Sequence, residues 1–284
     1  MAYIFITGVS SGIGYDALRT LTNKGFHVIG SVRKESDAAR LYTEFGDLCT
    51  ILIFDVTDAK TCKNQIESIY PLLEKDGLFC LINNAGIAIP GPLQHLDDEE
   101  LLQQLDVNVH SVHRITNQLL PFLGADTKYK PGKIINISSV SGMFNSPFNG
   151  AYCISKHALE SLTDVYRREL SMFGIQVCAI QPGPIKTEIW SKTLGTLDRF
   201  KSTNYGEILS SADKIIKNSE KSAFDVHIIS AIIVNIISAN KPKTRYLVHR
   251  KPFLFKLLAF YLPDRMVDKM VAKTLAKKDN YRPV

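Results

Sequence analysis

The chain of 284 residues has no cysteine pair at CxxC spacing. Its cysteines, Cys49, Cys62, Cys80, Cys153 and Cys178, are odd in number and scattered singly. A disulfide framework or zinc site is not expected from them, and reduced thiols in a cytoplasmic compartment are. Long hydrophobic runs are lacking too. HIISAIIVNIISA at 227–239 and PFLFKLLAFYLP at 252–263 are the longest apolar stretches. Both fall short of the roughly 18–20 residues that span a bilayer. The opening MAYIFITG is too short for a signal-peptide core and runs into a glycine loop without a cleavage site. These absences predict a soluble chain, one able to touch a membrane surface. No repeat, low-complexity segment or linker divides it, so a single domain over 1–284 is expected.

What is present is ordinary for a globular protein, with 45% hydrophobic and 22% charged residues. The net charge of +6 is unevenly spread. Residues 241–284 hold 12 Lys/Arg against 3 Asp/Glu, whereas the preceding chain is slightly acidic. A basic tail suits nucleic acid, an anionic membrane surface or a solvated helix with outward lysines. No nucleic-acid partner is expected here.

Apolar runs alternate with helical patterns. Strands are predicted at 3–7, 27–32, 49–56, 78–86, 133–138 and 175–183, with a last one at 244–248 after an apolar helix near 223–239. The runs are rich in Ile and Val and mostly continuous, as in strands buried on both faces. The alternation predicts an α/β, Rossmann-like, doubly wound and mostly parallel sheet flanked by helices.

The first strand leads into TGVSSGIG and then a helix. Gly8 suits the tight turn, Gly12 a close approach of backbone to a pyrophosphate, and Gly14 close packing of helix on sheet. The helix N-terminus offers N–H groups and a positive dipole end to phosphates. Gly8, Ser10, Ser11, Gly12, Ile13 and Gly14 are therefore candidate cofactor contacts. The second strand ends at Val32, where an acid would select NAD. Arg33 and Lys34 follow instead, and a cation there attracts the 2′-phosphate of NADP. The expected cofactor is NADP, with NAD as the alternative. Asp55 and Val56 after the third strand, and Asn84, Ala85 and Gly86 after the fourth, lie where open α/β sheets bind ligands.

Tyr152 and Lys156 stand four residues apart, on one face of a helix. A free tyrosine titrates near ~10, and a neighbouring ammonium is expected to lower that value. Ser139 closes a strand and can donate to an oxygen that gains negative charge during hydride transfer. Cys153, although beside Tyr152, has no evident histidine partner that would make it a nucleophile.

These motifs, in this order, resemble the short-chain dehydrogenase/reductase family in its single-domain branch. TGVSSGIG resembles its TGxxxGIG, NNAG its NNAG, and Asn108 its asparagine. INISSVSG followed by YCISK resembles the serine and YxxxK elements, and QPGPIKTE the PGxxxT element. The resemblance runs from residue 3 to about 188, with a weaker likeness as far as TRYLV. It implies a hydride exchanged between a nicotinamide and a carbonyl/alcohol pair. Tyr152 would be the acid/base, and Lys156 would lower its pKa and bind the nicotinamide ribose. Asn108 would hold a relay water, and Pro182, Gly183, Ile185 and Thr187 would contact the nicotinamide end. Ser139 is preferred over Ser138, because the family's serine usually lies thirteen residues before its tyrosine. Two departures stand out. The family's glycine after the asparagine is missing from Val109, His110 and Ser111, and Ser11 stands where many NADP-preferring members carry a cation. Arg33 must therefore act largely alone.

The chain is most like 17β-hydroxysteroid and retinol dehydrogenases and related bacterial oxidoreductases. A lipophilic ketone or alcohol is the expected substrate, with Met143, Phe144, Phe148 and Trp190 as pocket candidates. The segment 188–212, within a lid region of 185–215, would close over it. A 3-oxoacyl-thioester reductase, or a catalytically silent NADP sensor or scaffold, are the competing readings. A homodimer or homotetramer paired through helices beginning near Leu101 and Tyr152 is implied. The extension 249–284 has two possible uses: peripheral contact with anionic lipid, or packing on the lid or a partner subunit.

Overall fold

The computed structural model describes residues 2–187, 195–209 and 223–275. Seven strands form one parallel sheet: β1 (Tyr3–Ile6), β2 (His27–Val32), β3 (Cys49–Ile53), β4 (Cys80–Asn83), β5 (Lys133–Ile137), β6 (Gln176–Pro182) and β7 (Arg245–Val248). Their order is β3-β2-β1-β4-β5-β6-β7. The sheet reverses direction of growth between β1 and β4, which places a ligand crevice at their carboxyl ends.

The continuous apolar strands serve two cores at once. Ile4, Ile6, Ile135 and Ile180 face one side, while Phe5, Leu81, Ile134 and Val177 face the other. On the first side lie α1 (Gly12–Thr22), α2 (Glu35–Phe45) and α8 (His227–Ser238). On the second lie α3 (Ala59–Glu67), the single turn α4 (Tyr70–Leu73), α6 (Ser111–Leu119) and α7 (Gly150–Glu169). With side chains alternating along each strand, neither face tolerates a polar row.

The almost wholly apolar α8 buries Ile229, Ile233 and Ile236 against α1. The pair is fixed by a buried bond in which Ser230 Oγ donates to Asp16 Oδ2 at 2.5 Å. Lys133 Nζ donates to the carbonyls of Ile236, Ile237 and Ala239. A cation thus meets the negative end of that helix. The chain ends its described part in a helical pair, α9 (Pro252–Phe260) and α10 (Asp264–Leu275). The fold class is as the sequence predicts, although β3 and β4 stop about three residues early. Their expected last residues leave the sheet to build the site.

Candidate active site

The glycine loop is held from both neighbouring strands. Gly8 N donates to Ser31 Oγ on β2 at 3.1 Å. The Thr7 hydroxyl accepts from the amides of Asn84 and Ala85, both at 2.9 Å, and Asn84 Nδ2 returns bonds to the Thr7 and Gly8 carbonyls. Gly8 has φ of +72°, a conformation that other residues adopt at a cost. Gly14 answers to space instead. A Cβ there would strike the Gly8 carbonyl and lie 2.5 Å from Asn84 Nδ2. Ser11 caps α1 with its backbone alone, so its side chain satisfies none of the first N–H groups of that helix.

These elements line a cleft of about 1470 Å³. That exceeds the roughly 300–1,000 Å³ of a pocket for one small molecule, so a dinucleotide and a second ligand fit together. Gly8, Ser10, Ser11, Gly12, Ile13, Arg33, Asp55, Val56, Asn84, Ala85 and Gly86 all line it, as do Pro182, Gly183, Ile185 and Thr187. Gly14 lies behind the loop and is not in the lining. Arg33 is exposed at the cleft edge and has no ion-pair or hydrogen-bond partner among the described residues. The Asp55 carboxylate is partly engaged, since Oδ1 accepts from the amide and hydroxyl of Thr57.

Ser139 stands two residues past the end of β5, beside the first turns of α7. Its Oγ accepts from Ser141 N at 3.1 Å and shares a hydrogen bond with the Tyr152 hydroxyl. Tyr152 and Lys156 are both buried on α7, with the Lys156 Nζ 5.6 Å from the tyrosine ring centroid. Lys156 Nζ donates to the Ile137 carbonyl at 2.9 Å.

The titration behaviour departs from the sequence expectation. Burial pushes the Tyr152 phenol up to about 12, and the Ser139 bond draws it only partly back. Burial also pulls Lys156 down to about 8, against the opposing pull of Glu160 one turn along the helix. Lysine proximity alone therefore does not activate the tyrosine in this state. Desolvation is the largest cause at both groups.

Asn108 lies in a π-helical turn, Asp106–His110, between α5 (Asp98–Leu105) and α6. Its Oδ1 accepts from Ile87 N at 3.0 Å, and its Nδ2 donates to Ile87 O and to Ser155 Oγ. The side chain clamps the segment after Gly86 to α7. Side-chain bonds of this kind are compatible with the expected relay role.

Of the pocket candidates, Phe144 and Phe148 line the cleft and Met143 does not. Met143 closes the 3-10 turn Val140–Gly142, and its partly buried side chain stays out of the opening. Trp190 lies outside the described residues. Phe148 has φ of +62°, a strained value for a bulky residue, and packs edge-on against Tyr205 at 5.7 Å. Cys153 is buried with its thiol pushed up by desolvation, which removes it as a nucleophile.

Three further groups shape the cleft, and the second falls within the segment 188–212 expected to close over it. Gln104, buried behind the lining on α5, donates to Ile87 O and accepts from Ile89 N. Thr196, Leu197 and Arg199 lie over the opening, and Arg199 is tied to Glu100 of α5 at 2.6 Å. Leu258 of α9, and Val267, Met270, Val271, Thr274 and Leu275 of α10, form the far wall. The last five fall at helical spacing, a stripe visible in the sequence, but nothing local says what the stripe faces.

The family description "short chain dehydrogenase" matches residues 2–197. The chain is 42% identical over 278 residues to a protein of Ornithobacterium rhinotracheale named NADPH-dependent 3-dehydrocapnine reductase, covering 98% of each. It is 30% identical to retinol dehydrogenase 16 of Mus musculus, over 98% of this chain and 90% of that one. A crystal structure of a short-chain dehydrogenase from Streptomyces avermitilis superposes with a TM-score of 0.76 at 23% identity, covering 90% of each chain. The glycine loop, the NNAG turn and the Ser139, Tyr152 and Lys156 cluster lie at one cleft on this fold, and the chain is an oxidoreductase of the short-chain dehydrogenase family.

Proposed function

We propose that the protein is an NADP(H)-dependent oxidoreductase of a lipophilic carbonyl or secondary alcohol, with Tyr152 as its acid/base. The observation that carries this reading is the convergence of Ser139, Tyr152 and Lys156 in the cleft that the glycine loop also lines. The cofactor fit rests on the loop itself: a Cβ at Gly8 or Gly12 would press on Ala85 or Thr187. Arg33, an unpaired cation at the cleft edge, suits a 2′-phosphate. The similarity to a protein named NADPH-dependent agrees with that preference.

When bound, the nicotinamide supplies or accepts the hydride at the carbonyl carbon. In the reducing direction Tyr152 gives its phenolic proton to the carbonyl oxygen, and Ser139 hydrogen-bonds that oxygen as its charge grows. The Lys156 ammonium stabilises the phenolate left behind. Pro182, Gly183, Ile185 and Thr187 hold the nicotinamide end, and Asn108 keeps Ile87 and α7 in register. Phe144, Phe148 and the α9–α10 wall form the apolar part of the site, and the lid over 185–215 closes it through Thr196, Leu197 and Arg199. Self-association of this cytoplasmic protein through the exposed Leu102 of α5 and the exposed Ile154 and Val165 of α7 belongs to the same reading.

The test is NADPH oxidation against a panel: 3-dehydrocapnine, a steroid ketone, a retinoid aldehyde and a 3-oxoacyl thioester. Turnover of lipophilic carbonyls with NADPH is expected, with 3-dehydrocapnine first because of the 42% identity. Preference for the thioester would replace the substrate assignment. Tight NADPH binding without turnover of any member would leave a sensor.

A further inference from the structure

The helix α9 is apolar over most of its circumference, and only part of that surface has a partner among the described residues. Phe255 packs on Phe144 and His249 at ring distances of 6.0 and 4.8 Å, and Leu258 lines the cleft. At about 100° per residue, Phe253, Leu254, Leu257, Phe260 and Tyr261 fall on a separate stripe. Four of these are among the most exposed large apolar side chains: Phe253 at 82%, Tyr261 at 77%, Phe260 at 61% and Leu254 at 51%. Exposed aromatics concentrated on one short helix are unusual on a surface that meets only water.

The surroundings of that stripe carry its partner's chemistry. Lys256 borders it, and Lys251, Arg265, Lys269 and Lys273 stand exposed on the same helical pair. None of these five has an acidic partner within ion-pair distance among the described residues, and the pair holds only Asp264 and Asp268 in opposition. A second copy of this chain would bring the same positive charge to the contact, so the pattern disfavours self-association here. An apolar aromatic face fringed by unpaired cations matches the boundary of an anionic bilayer, where rings enter the acyl edge and ammonium groups meet headgroups.

We propose that the outer stripe of α9, with the cations of α9 and α10, docks on an anionic lipid surface and that the cleft walled by the same two helices draws its substrate from that surface. The second clause rests on the lipophilic-substrate reading; the first does not. The geometry joins them, because Leu258, Val267 and Met270 present the inner faces of the very helices whose outer faces are exposed.

Flotation of the full chain with vesicles tests the docking. With equimolar phosphatidylcholine and phosphatidylglycerol at low salt the protein floats, and with phosphatidylcholine alone the bound fraction drops about tenfold or more. Raising the salt weakens the anionic-vesicle binding. Phe253→Ser/Phe260→Ser/Tyr261→Ser abolishes flotation and leaves turnover of a short water-soluble ketone within about twofold, as these side chains do not line the cleft. Lys256→Glu/Lys269→Glu weakens flotation on anionic vesicles only. A wild-type chain that stays in the unbound fraction at low salt, or a triple variant that floats as well as wild type, overturns the proposal. So does a triple variant that instead splits a larger oligomer, which would identify a second copy as the occupant. Flotation without turnover of any lipophilic carbonyl keeps the docking and removes the substrate assignment.

Discussion

Replacing Lys156 by Met should abolish turnover and yet stabilise the fold at neutral pH. Lys156 is 5% exposed, and burial holds its folded-state value at about 8 against an ordinary 10.5. At about 1.4 kcal/mol per pH decade, that gap charges the folded state about 3 kcal/mol for keeping the ammonium at pH 7. The folded value lies below the unfolded one, so unfolding takes up a proton between about 8 and 10.5. Stability from this group is therefore lowest below pH 8, rises through that window and is restored above 10.5. Met removes the cost but leaves the Ile137 carbonyl without its 2.9 Å donor. That loss is about 1 kcal/mol, and a net gain of about 2 kcal/mol at pH 7 remains. The advantage of the variant should shrink by about 2 kcal/mol between pH 7 and pH 9.5 as the wild-type lysine gives up its proton. Urea unfolding of both proteins across that range, without cofactor, measures it. A difference between them that is flat with pH would refute the desolvation argument, whatever its sign.

Other outcomes follow from the same site. Tyr152→Phe removes only the hydroxyl, so stopped-flow NADPH oxidation should fall by about a hundredfold or more while NADPH affinity stays within a few-fold. Equal rates in wild type and variant would take Tyr152 out of the mechanism. Wild type should prefer NADPH over NADH by about tenfold or more, because a charge-assisted contact from Arg33 contributes about 1.5–3 kcal/mol, and Arg33→Asp should narrow or reverse this in a fluorescence titration. Gly14→Ala places a methyl against the Gly8 carbonyl and Asn84 amide. It should cost about 1–3 kcal/mol of stability and weaken dinucleotide binding in the same titration, and an unchanged affinity would mean that the loop is not braced at Gly14.

Much of the fold was legible because its causes are local. Continuous Ile and Val runs such as KIINI and QVCAI mark strands with a core on each side, and both are interior strands of the sheet. The glycine loop was legible for a similar reason, since Gly8 needs a positive φ and Gly14 needs room. Strand ends were not. The hydrophobic pattern of CTILIFDV runs on beyond Ile53, but the pairing with β2 stops there, and Phe54 is buried from outside the strand. Which residue leaves the ladder depends on the neighbouring strand's length, and that information lies elsewhere in the chain.

The side-chain roles at the site were less legible for a deeper reason. Spacing places Tyr152 and Lys156 on one face of α7, but it is silent on how much water remains around them. Their electrostatics follow from burial and from partners as distant in sequence as Ile137 and Ser139, so the sign of the tyrosine shift could not be read from a four-residue interval. Asn108 shows the same limit. All three of its side-chain bonds go to Ile87 and Ser155, and only the folded chain brings those two residues to it. A motif therefore fixes which atoms can meet, while packing decides what each is free to do; here it leaves Ser139 beside Tyr152 and commits the asparagine amide to joining Ile87 and Ser155.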